Sequence, residues 1–213
     1  MDVGREDLER SGEQYNPGSE TVPRQAASVI LLRGGADRLE LLLVKRNPDA
    51  HFMGGAWVFP GGAVDAGEGE GDSAHRAAAV RELVEEAGVT VPGPDGLVKF
   101  SRWITPAEVR TRFDTHFFLV QMPDGAPEPK PDGSETVDAR WFAPQGALDA
   151  HAAGEILLVF PTIKHLEQLG GFESAAALVD HARGRDVVPV RPRVLVSGET
   201  ARIVLPGEPG YDA

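Results

Sequence analysis

Three glutamates in one predicted helical turn constrain this chain more than any other feature. Glu82, Glu85 and Glu86 stand at positions i, i+3 and i+4, so a helix projects their carboxylates from one side. Like charges this close repel one another. A hard divalent cation removes the repulsion, because Mg²⁺ prefers carboxylate oxygens, water and substrate phosphate as ligands. The pattern therefore predicts a site for Mg²⁺ or Mn²⁺.

The helix that carries these glutamates is predicted for about residues 73–87. Asp72 or Ser73 suits its N-cap, and Gly88 suits the position after its end. The side opposite the glutamates is apolar, which predicts a helix packed on a sheet. That side consists of Ala77, Val80, Val84 and Ala87.

A double-glycine turn precedes the helix in the segment Phe59-Pro60-Gly61-Gly62. Two glycines let the backbone approach a ligand or a metal closely. Such a turn offers carbonyl oxygen to a cation and N–H groups to phosphate oxygens. We therefore expect the Gly62 carbonyl to be a metal ligand and Gly61 to contact the substrate.

The turn and the helix together resemble the signature of the Nudix hydrolase superfamily, G-x5-E-x7-R-E-U-x-E-E-x-G-U, in which U is aliphatic. Gly62 matches its first glycine, Glu68 matches the glutamate that follows after five intervening residues, and the segment 81–89 matches its end. The spacer differs, because residues 69–80 stand where the signature has only seven positions. If the excess is a glycine-rich loop around 69–72, the helix is unaffected, but Glu70 competes with Glu68 for the same role.

The resemblance implies an α/β/α sandwich with a central mixed sheet, and hydrolysis of a pyrophosphate bond that depends on Mg²⁺ or Mn²⁺. It also implies that one helical glutamate, or a carboxylate in the loop before the strand bearing Trp141, acts as general base. Glu135 fits that loop position, and Asp138 is the second choice. Arg81 is expected to face away from the metal, to pair with Glu68 or Glu70, and to hold the turn against the helix.

The segment before the turn resembles the pattern of the coenzyme A diphosphatases, L-L-T-x-R-S-x3-R-x3-G-x3-F-P-G-G. The matching positions are Leu42, Leu43, Arg46, Gly55 and residues 59–62, and the departures are Val44, Asn47 and His51. The lengthened spacer and residues 112–118 also resemble a branch of these enzymes with an insertion in the signature. Coenzyme A or acyl-coenzyme A is therefore the first candidate substrate. The alternatives are ADP-ribose, a dinucleotide, or a non-catalytic module that binds a nucleotide.

Other side chains are candidates for contacts with a small nucleotide-type substrate. The cations predicted to meet phosphate or base are Arg46, Arg102 and Arg112. The rings predicted to stack on an adenine are Trp57, Trp103 and Phe113. The histidines are not spaced as a metal set, and we assign them no role.

Charge and composition exclude several classes of function. The net charge of −12 argues against nucleic acid or an anionic membrane as partner, because both attract positive surfaces. The chain contains no cysteine, which excludes disulfides and thiol chemistry. It has neither an apolar run of 18 residues nor a secretory signal pattern, so we expect a cytoplasmic protein.

The pattern along the chain predicts an α/β fold with three segments. Residues 1–24 are polar and read as a flexible acidic arm. Residues 25–186 form the predicted hydrolase domain, with strands at 26–33, 38–46, 98–104, 115–122 and 137–142 and C-terminal helices at 145–153, 161–169 and 173–182. Residues 187–213 form a β-rich tail, which is either a hairpin at a sheet edge or an arm lent to a second copy in a homodimer.

Overall fold

The computed structural model describes residues 2–4, 16, 20–34, 38–50, 52–197 and 200–212. The strands in these ranges are β1 (Asp2–Gly4), β2 (Arg24–Arg33), β3 (Glu40–Arg46), β4 (Ala56–Val58), β5 (Gly61–Ala63), β6 (Val98–Ile104), β7 (Phe113–Gln121), β8 (Thr136–Phe142), β9 (Leu157–Leu158), β10 (Pro189–Val190), β11 (Arg193–Ser197) and β12 (Thr200–Val204). The helices are α1 (Gly71–Ala87), α2 (Pro144–Ala152), α3 (Phe160–Leu169) and α4 (Ala175–Arg183).

A mixed sheet lies at the centre of the fold. Its strand order is β10-β6-β7-β2-β3-β4-β9, with β5 paired to β2 and β8 paired to β3. The pairs β2–β7, β4–β9 and β6–β10 are parallel, and the other pairs are antiparallel. Helix α1 packs on one face of the sheet, and α2, α3 and α4 pack on the other. The prediction of an α/β fold with a central mixed sheet is confirmed.

Burial on both faces explains the apolar runs of the central strands. In β3, Leu41 and Leu43 belong to the core beside α2–α4, whereas Leu42 and Val44 belong to the core beside α1. A strand covered on both faces needs apolar residues at successive positions rather than at alternate ones. The strands and C-terminal helices predicted from these patterns begin and end within two residues of the observed ones.

Helix α1 begins two residues before its predicted start and ends as predicted. Gly88 caps it in the left-handed conformation with φ 65°, whereas its N-cap is Glu70 rather than Asp72 or Ser73. Its small side chains let it approach the sheet closely. The buried apolar residues are Ala74, Ala78, Ala79, Leu83 and Ala87.

The predicted packing face of α1 is partly wrong. Val84 is 42% exposed, and of the four residues predicted to pack on the sheet only Ala87 is fully buried. The helix is rotated so that Glu82 and Glu86 are themselves buried, at 8% and 3% exposure. Alanines on both sides of α1 made the direction of its packing face a weak signal.

The C-terminal tail packs on its own chain. Strands β11 and β12 form an antiparallel hairpin, β1 extends it, and β10 pairs with β6 at the edge of the large sheet. The tail thus contains a hairpin, but in a separate three-stranded sheet rather than at the edge of the large one, and the homodimer stays a prediction. Residues 198–199, between β11 and β12, lie outside the described residues.

The amino-terminal segment differs from its prediction as an arm without regular structure, because Asp2–Gly4 pairs with β12. Residues 5–15 and 17–19 of that arm lie outside the described part of the chain, as do residues 35–37 between β2 and β3. Strands β2 and β3 pair antiparallel, with Leu32 opposite Leu41. Among the described residues, no helix has the length and apolar character needed to cross a membrane.

Candidate active site

Two glycines bring strand β5 against both β2 and α1. Gly61 pairs with Ser28, and a Cβ on Gly61 would lie 2.5 Å from the Ala27 carbonyl oxygen. A Cβ on Gly62 would lie 2.1 Å from Glu82 Oε1. Neither position has room for a side chain, so the backbone itself lies against the carboxylate of α1, as the double-glycine turn predicts.

The backbone segment Gly61-Gly62 is called the bend below. Of the three helical glutamates beside it, Glu86 is the most deeply buried. Its Oε2 accepts a hydrogen bond of 2.8 Å from the Gly61 N–H, and its Oε1 lies 3.9 Å from Arg46 Nη1. Burial raises the pKa of Glu86 to about 7, and the neighbouring charge of Glu82 adds to the rise while the Gly61 N–H opposes it. An ionised Glu86 is therefore costly in the protein alone.

Glu82 and Glu85 are held differently. Burial raises the pKa of Glu82, although Arg81 donates a hydrogen bond of 2.8 Å to its Oε1. The side chain of Glu85 is 57% exposed, and its Oε2 accepts another hydrogen bond of 2.8 Å from Arg81. The three glutamates thus comprise two buried carboxylates and one at the surface.

Arg81 joins the helix to the turn. Its Nε donates to Glu68 Oε1 at 2.9 Å, and its Nη2 donates to the Ala63 carbonyl at 2.9 Å. The pairing with Glu68 and the clamp on the turn are as predicted. The expectation that Arg81 faces away from the metal-binding glutamates is wrong, since it also bonds Glu82 and Glu85. A guanidinium has five N–H donors, enough for both tasks.

The glycine-rich segment 69–72 is only partly a loop before α1, because Gly71 and Asp72 form the first residues of the helix. Glu68 nevertheless keeps the role that Glu70 was expected to contest. Glu68 ends a 3₁₀ turn, Ala66–Glu68, and its Oε2 accepts a hydrogen bond of 2.7 Å from the Asp65 N–H. Although burial alone favours its neutral form, hydrogen bonds from Arg81 and Asp65 lower the pKa of Glu68. Glu70 is exposed at the N-cap of α1.

Glu135 lines the same cavity as Glu82, whereas Asp138 pairs with Arg140 at 2.6 Å and does not line it. This placement favours Glu135, the first choice from sequence. Its loop is organised by two residues that sequence reasoning missed. Asp132 accepts hydrogen bonds from the N–H groups of residues 134–136, and Thr136 Oγ1 donates to the Glu86 carbonyl at 2.7 Å. The turn-forming run Pro131-Asp132-Gly133-Ser134 was the available signal.

A cavity of about 400 Å³ opens beside the carboxylates. Of the predicted substrate contacts, Arg46 and Gly61 line it, and so do the rings of Trp103 and Phe113. Phe52 also lines it and was not predicted; its ring is tilted by 48° against that of Phe113, with the centroids 5.7 Å apart. These residues surround the space that a substrate of the glutamates would occupy.

Three predicted contacts are wrong. Trp57 is 3% exposed and packs edge-to-face on Phe142 in the core, since strand β4 directs it towards α2–α4. Arg112 is buried and donates to the carbonyl of Thr105 and to Glu20. Arg102 forms a two-point ion pair with Asp114. These three side chains complete the scaffold and do not line the cavity.

The donor set at the bend fits a hard divalent cation. Among the described residues, no three Asp, Glu or His side chains already surround a common point as a closed metal site. The available donors are nonetheless all oxygen, and two of them are carboxylates whose pKa burial raises, so a cation beside them would favour their ionised form. Glu82, Glu85, Glu86 and the Gly62 carbonyl are the groups that would hold Mg²⁺ or Mn²⁺.

Several known proteins are similar to this chain in sequence and in fold. A family model described as the NUDIX domain matches residues 22–159. A Caenorhabditis elegans protein named as a nudix hydrolase is 32% identical, over 68% of this chain and 60% of its own length, so the chain spans less than two thirds of that relative. The human acyl-coenzyme A diphosphatase NUDT19 is 25% identical, over 88% of this chain and 80% of its own.

Among solved structures, a NUDIX hydrolase from Alicyclobacillus acidocaldarius superposes with a TM-score of 0.67 and 26% identity, covering 75% of this chain and 96% of that one. The NUDIX domain of Shewanella oneidensis NrtR, solved with ADP ribose, superposes with a TM-score of 0.53. At 18% identity over 78% of this chain and 96% of its own, that second likeness concerns the fold alone.

Proposed function

The chain belongs to the Nudix hydrolase family, whose members hydrolyse pyrophosphate bonds with divalent metal ions, and we propose that it cleaves a diphosphate linking a nucleoside to another group. One observation carries the proposal. Glu82 and Glu86 are buried against a double-glycine bend, and Glu82 faces a cavity large enough for part of such a substrate.

Each residue at the bend has a role in this reaction. A bound Mg²⁺ or Mn²⁺ would neutralise phosphate charge and make a water molecule more acidic. Glu82, Glu85, Glu86 and the Gly62 carbonyl hold the ion, and Arg46 binds a phosphate oxygen from its place on the cavity wall. Glu135 accepts the proton of the attacking water, because it is the carboxylate of a later loop that lines the cavity.

Coenzyme A or one of its thioesters is the first substrate to test. The resemblance of residues 42–62 to the coenzyme A diphosphatases supports this choice, and so does the similarity to a human protein named as an acyl-coenzyme A diphosphatase. ADP-ribose and dinucleotides contain the same diphosphate between a nucleoside and a second group. They are therefore the competing substrates.

The test is a panel of these substrates incubated with the protein and Mg²⁺ or Mn²⁺, with nucleotide products separated by chromatography. We expect hydrolysis that requires the metal ion and disappears in the variant Glu82→Gln/Glu86→Gln. The control Glu70→Gln changes an exposed glutamate of the insertion and should keep wild-type turnover. Undiminished hydrolysis by the double variant would refute the mechanism.

A non-catalytic module that binds a nucleotide is the second candidate. The hydrogen bonds from Arg81 to Glu82 and Glu85 favour it, because they occupy oxygens that a metal ion needs. Calorimetry separates the two functions. Saturable binding of a nucleotide without turnover under Mg²⁺ or Mn²⁺ would support the binding module.

A further inference from the structure

The cavity beside the glutamates has two chemically different ends. The charged side chains that line the cavity are Arg24, Arg46, Glu82 and Glu135, and those of Arg46, Glu82 and Glu135 lie towards the bend. The other end is apolar and is lined by Ile104, Val109, Phe160, Pro192, Val194 and Ile203. No charged side chain from the lining residues of segments 104–109, 159–162 and 192–203 faces the cavity.

The C-terminal hairpin builds one wall of this apolar end. Val194 of β11 and Ile203 of β12 pack with Val109 and Ala201 in a small core of their own, and Phe160 packs against it. Residues 160–213 lie beyond the segment that the family model matches. The apolar end is therefore partly formed by a part of the chain outside the shared domain.

The wall is anchored rather than loosely apposed. The Val194 N–H donates to Glu108 Oε2 at 3.3 Å, and the Arg193 guanidinium lies 3.8 Å from the same carboxylate. The Tyr211 hydroxyl donates to the Arg191 carbonyl at 2.8 Å, and β10 pairs with β6 just before the hairpin. These contacts hold the hairpin against the loop that contains Val109.

The chemistry of this end selects its occupant. The two cations that line the cavity, Arg24 and Arg46, come from other segments, so the residues of this end offer a phosphate no charge of their own. A nucleobase would leave donors and acceptors of its edge without partners, which is unfavourable in an apolar site. An aliphatic chain has no such groups, and it gains free energy for each methylene removed from water. Both sets of residues line one cavity, so a single molecule can contact the carboxylates and the apolar end together.

We propose that the apolar end holds the acyl chain of an acyl-coenzyme A, and that the C-terminal hairpin thereby sets the preference for acyl chain length. The inference rests on the proposed diphosphatase function. It adds a binding site for the chain, with Val194, Ile203 and Phe160 as specificity-determining residues.

The first experiment compares kcat/KM for coenzyme A and for its acetyl, butanoyl, hexanoyl, octanoyl and dodecanoyl thioesters. Each additional buried methylene should raise kcat/KM by up to about fourfold, until the apolar end is filled. ADP-ribose, which carries no chain, should resemble free coenzyme A. A flat series with measurable hydrolysis would overturn the inference and leave the diphosphatase function standing, whereas absence of hydrolysis for every diphosphate would overturn both.

The second experiment changes the wall. Val194→Phe should lower kcat/KM for the dodecanoyl thioester at least tenfold more than kcat/KM for coenzyme A. Val196→Phe is the matched control, because Val196 lies on the same strand, is 39% exposed and does not line the cavity. Val196→Phe should leave kcat/KM unchanged for both substrates. Equal losses for both substrates with Val194→Phe would overturn the assignment of the acyl chain to this end.

A variant with a smaller side chain provides a second test in case Val194→Phe does not fold. Val194→Ala enlarges the apolar end and should move the preferred substrate towards longer chains. Circular dichroism and thermal unfolding show whether each variant keeps its fold. If Val194→Phe does not fold, the shift with Val194→Ala decides, and an unchanged profile would overturn the inference.

Discussion

The carboxylate of Glu82 occupies the space that any side chain at Gly62 would need, since a Cβ there would lie 2.1 Å from Glu82 Oε1. Gly62→Ala should therefore displace Glu82, lower activity at least tenfold and cost about 1–3 kcal/mol of unfolding free energy. Gly67→Ala is the control, because a Cβ at Gly67 has no atom within 4 Å. Metal-dependent turnover and urea denaturation test this, and normal activity in Gly62→Ala would contradict it.

Arg81 uses Glu68, not Glu70, to clamp the turn, and the two glutamates can be compared directly. Glu68→Gln weakens a buried charge-assisted pair and should cost about 1–2 kcal/mol of stability with a clear loss of turnover. Glu70→Gln should stay within about 0.5 kcal/mol of wild type. Because the pKa of Glu68 is lowered, its contribution is present at neutral pH and is lost as the pH falls through that lowered pKa. Equal effects of the two substitutions would be inconsistent with this clamp.

Glu86 should destabilise the metal-free protein above neutral pH. Its pKa is about 7 in the folded chain against an ordinary 4.5, so the folded state binds the proton more tightly and loses stability as the pH rises through this window. At pH 8 without metal, the free energy of unfolding of Glu86→Gln should exceed that of the wild type by on the order of 2 kcal/mol. Near pH 4 the difference should vanish.

Adding divalent ions should reverse the order of stability of the wild type and Glu86→Gln at pH 8. Mg²⁺ or Mn²⁺ binds only the folded wild type through Glu86 and stabilises it by mass action. The thermal midpoint of the wild type at pH 8 should rise with added ion, and that of Glu86→Gln should not. If Glu86→Gln is less stable than the wild type at pH 8 without metal, the ionised Glu86 does not destabilise the folded protein and the prediction is wrong.

Glu135 and Asp138 are three residues apart, and only Glu135 lines the cavity. Glu135→Gln should lower kcat by about 100-fold with little change in KM, because a general base contributes to the chemical step. Asp138→Asn should keep kcat within twofold. Steady-state kinetics over a range of pH checks both, and the base assignment falls if the Glu135 variant turns over normally.

His116 should make the protein sensitive to acid. Burial lowers its pKa from 6.5 to about 4, and neither ring nitrogen has a hydrogen-bond partner among the described residues. The unfolded chain binds the proton near pH 6.5 and the folded one only near 4. Stability should therefore fall by about 1 kcal/mol per pH unit in this window.

His116→Phe removes the titrating group and keeps a ring that can stack on His75, whose centroid lies 3.7 Å away. The variant should lose stability less steeply than wild type between pH 6.5 and pH 4, as measured by urea denaturation. His181→Gln, at an exposed position of α4, is the control and should follow the wild-type curve. Parallel curves for wild type and His116→Phe would argue against this role of His116.

Much of the fold is predictable because its causes are local. A run such as Leu41–Val44 predicts a strand with two covered faces wherever it lies, and Gly88 ends a helix because it tolerates a left-handed backbone. The pairing of Arg81 with a glutamate of the preceding turn was predictable in kind. The choice between Glu68 and Glu70 was not, because it depends on the path of the inserted loop.

The misassigned residues share one physical reason. Trp57 and Arg112 are types that often bind nucleotides, but stacking and ion pairing serve a core equally well. Only the direction of β4 and the position of Glu20 show that both are occupied inside the scaffold. Similarly, nothing in the spacing of His75 and His116 predicts that their rings stack.

The order of residues determines that glutamates, glycines and an arginine meet at one place, because helical periodicity and glycine's lack of a side chain act over a few neighbouring positions. Tertiary structure decides which carboxylates are buried and which rings face the cavity. It also decides where the C-terminal hairpin lies. Burial depends on atoms from segments that are distant in the sequence. The sequence gives the identity of these residues but not their positions in space.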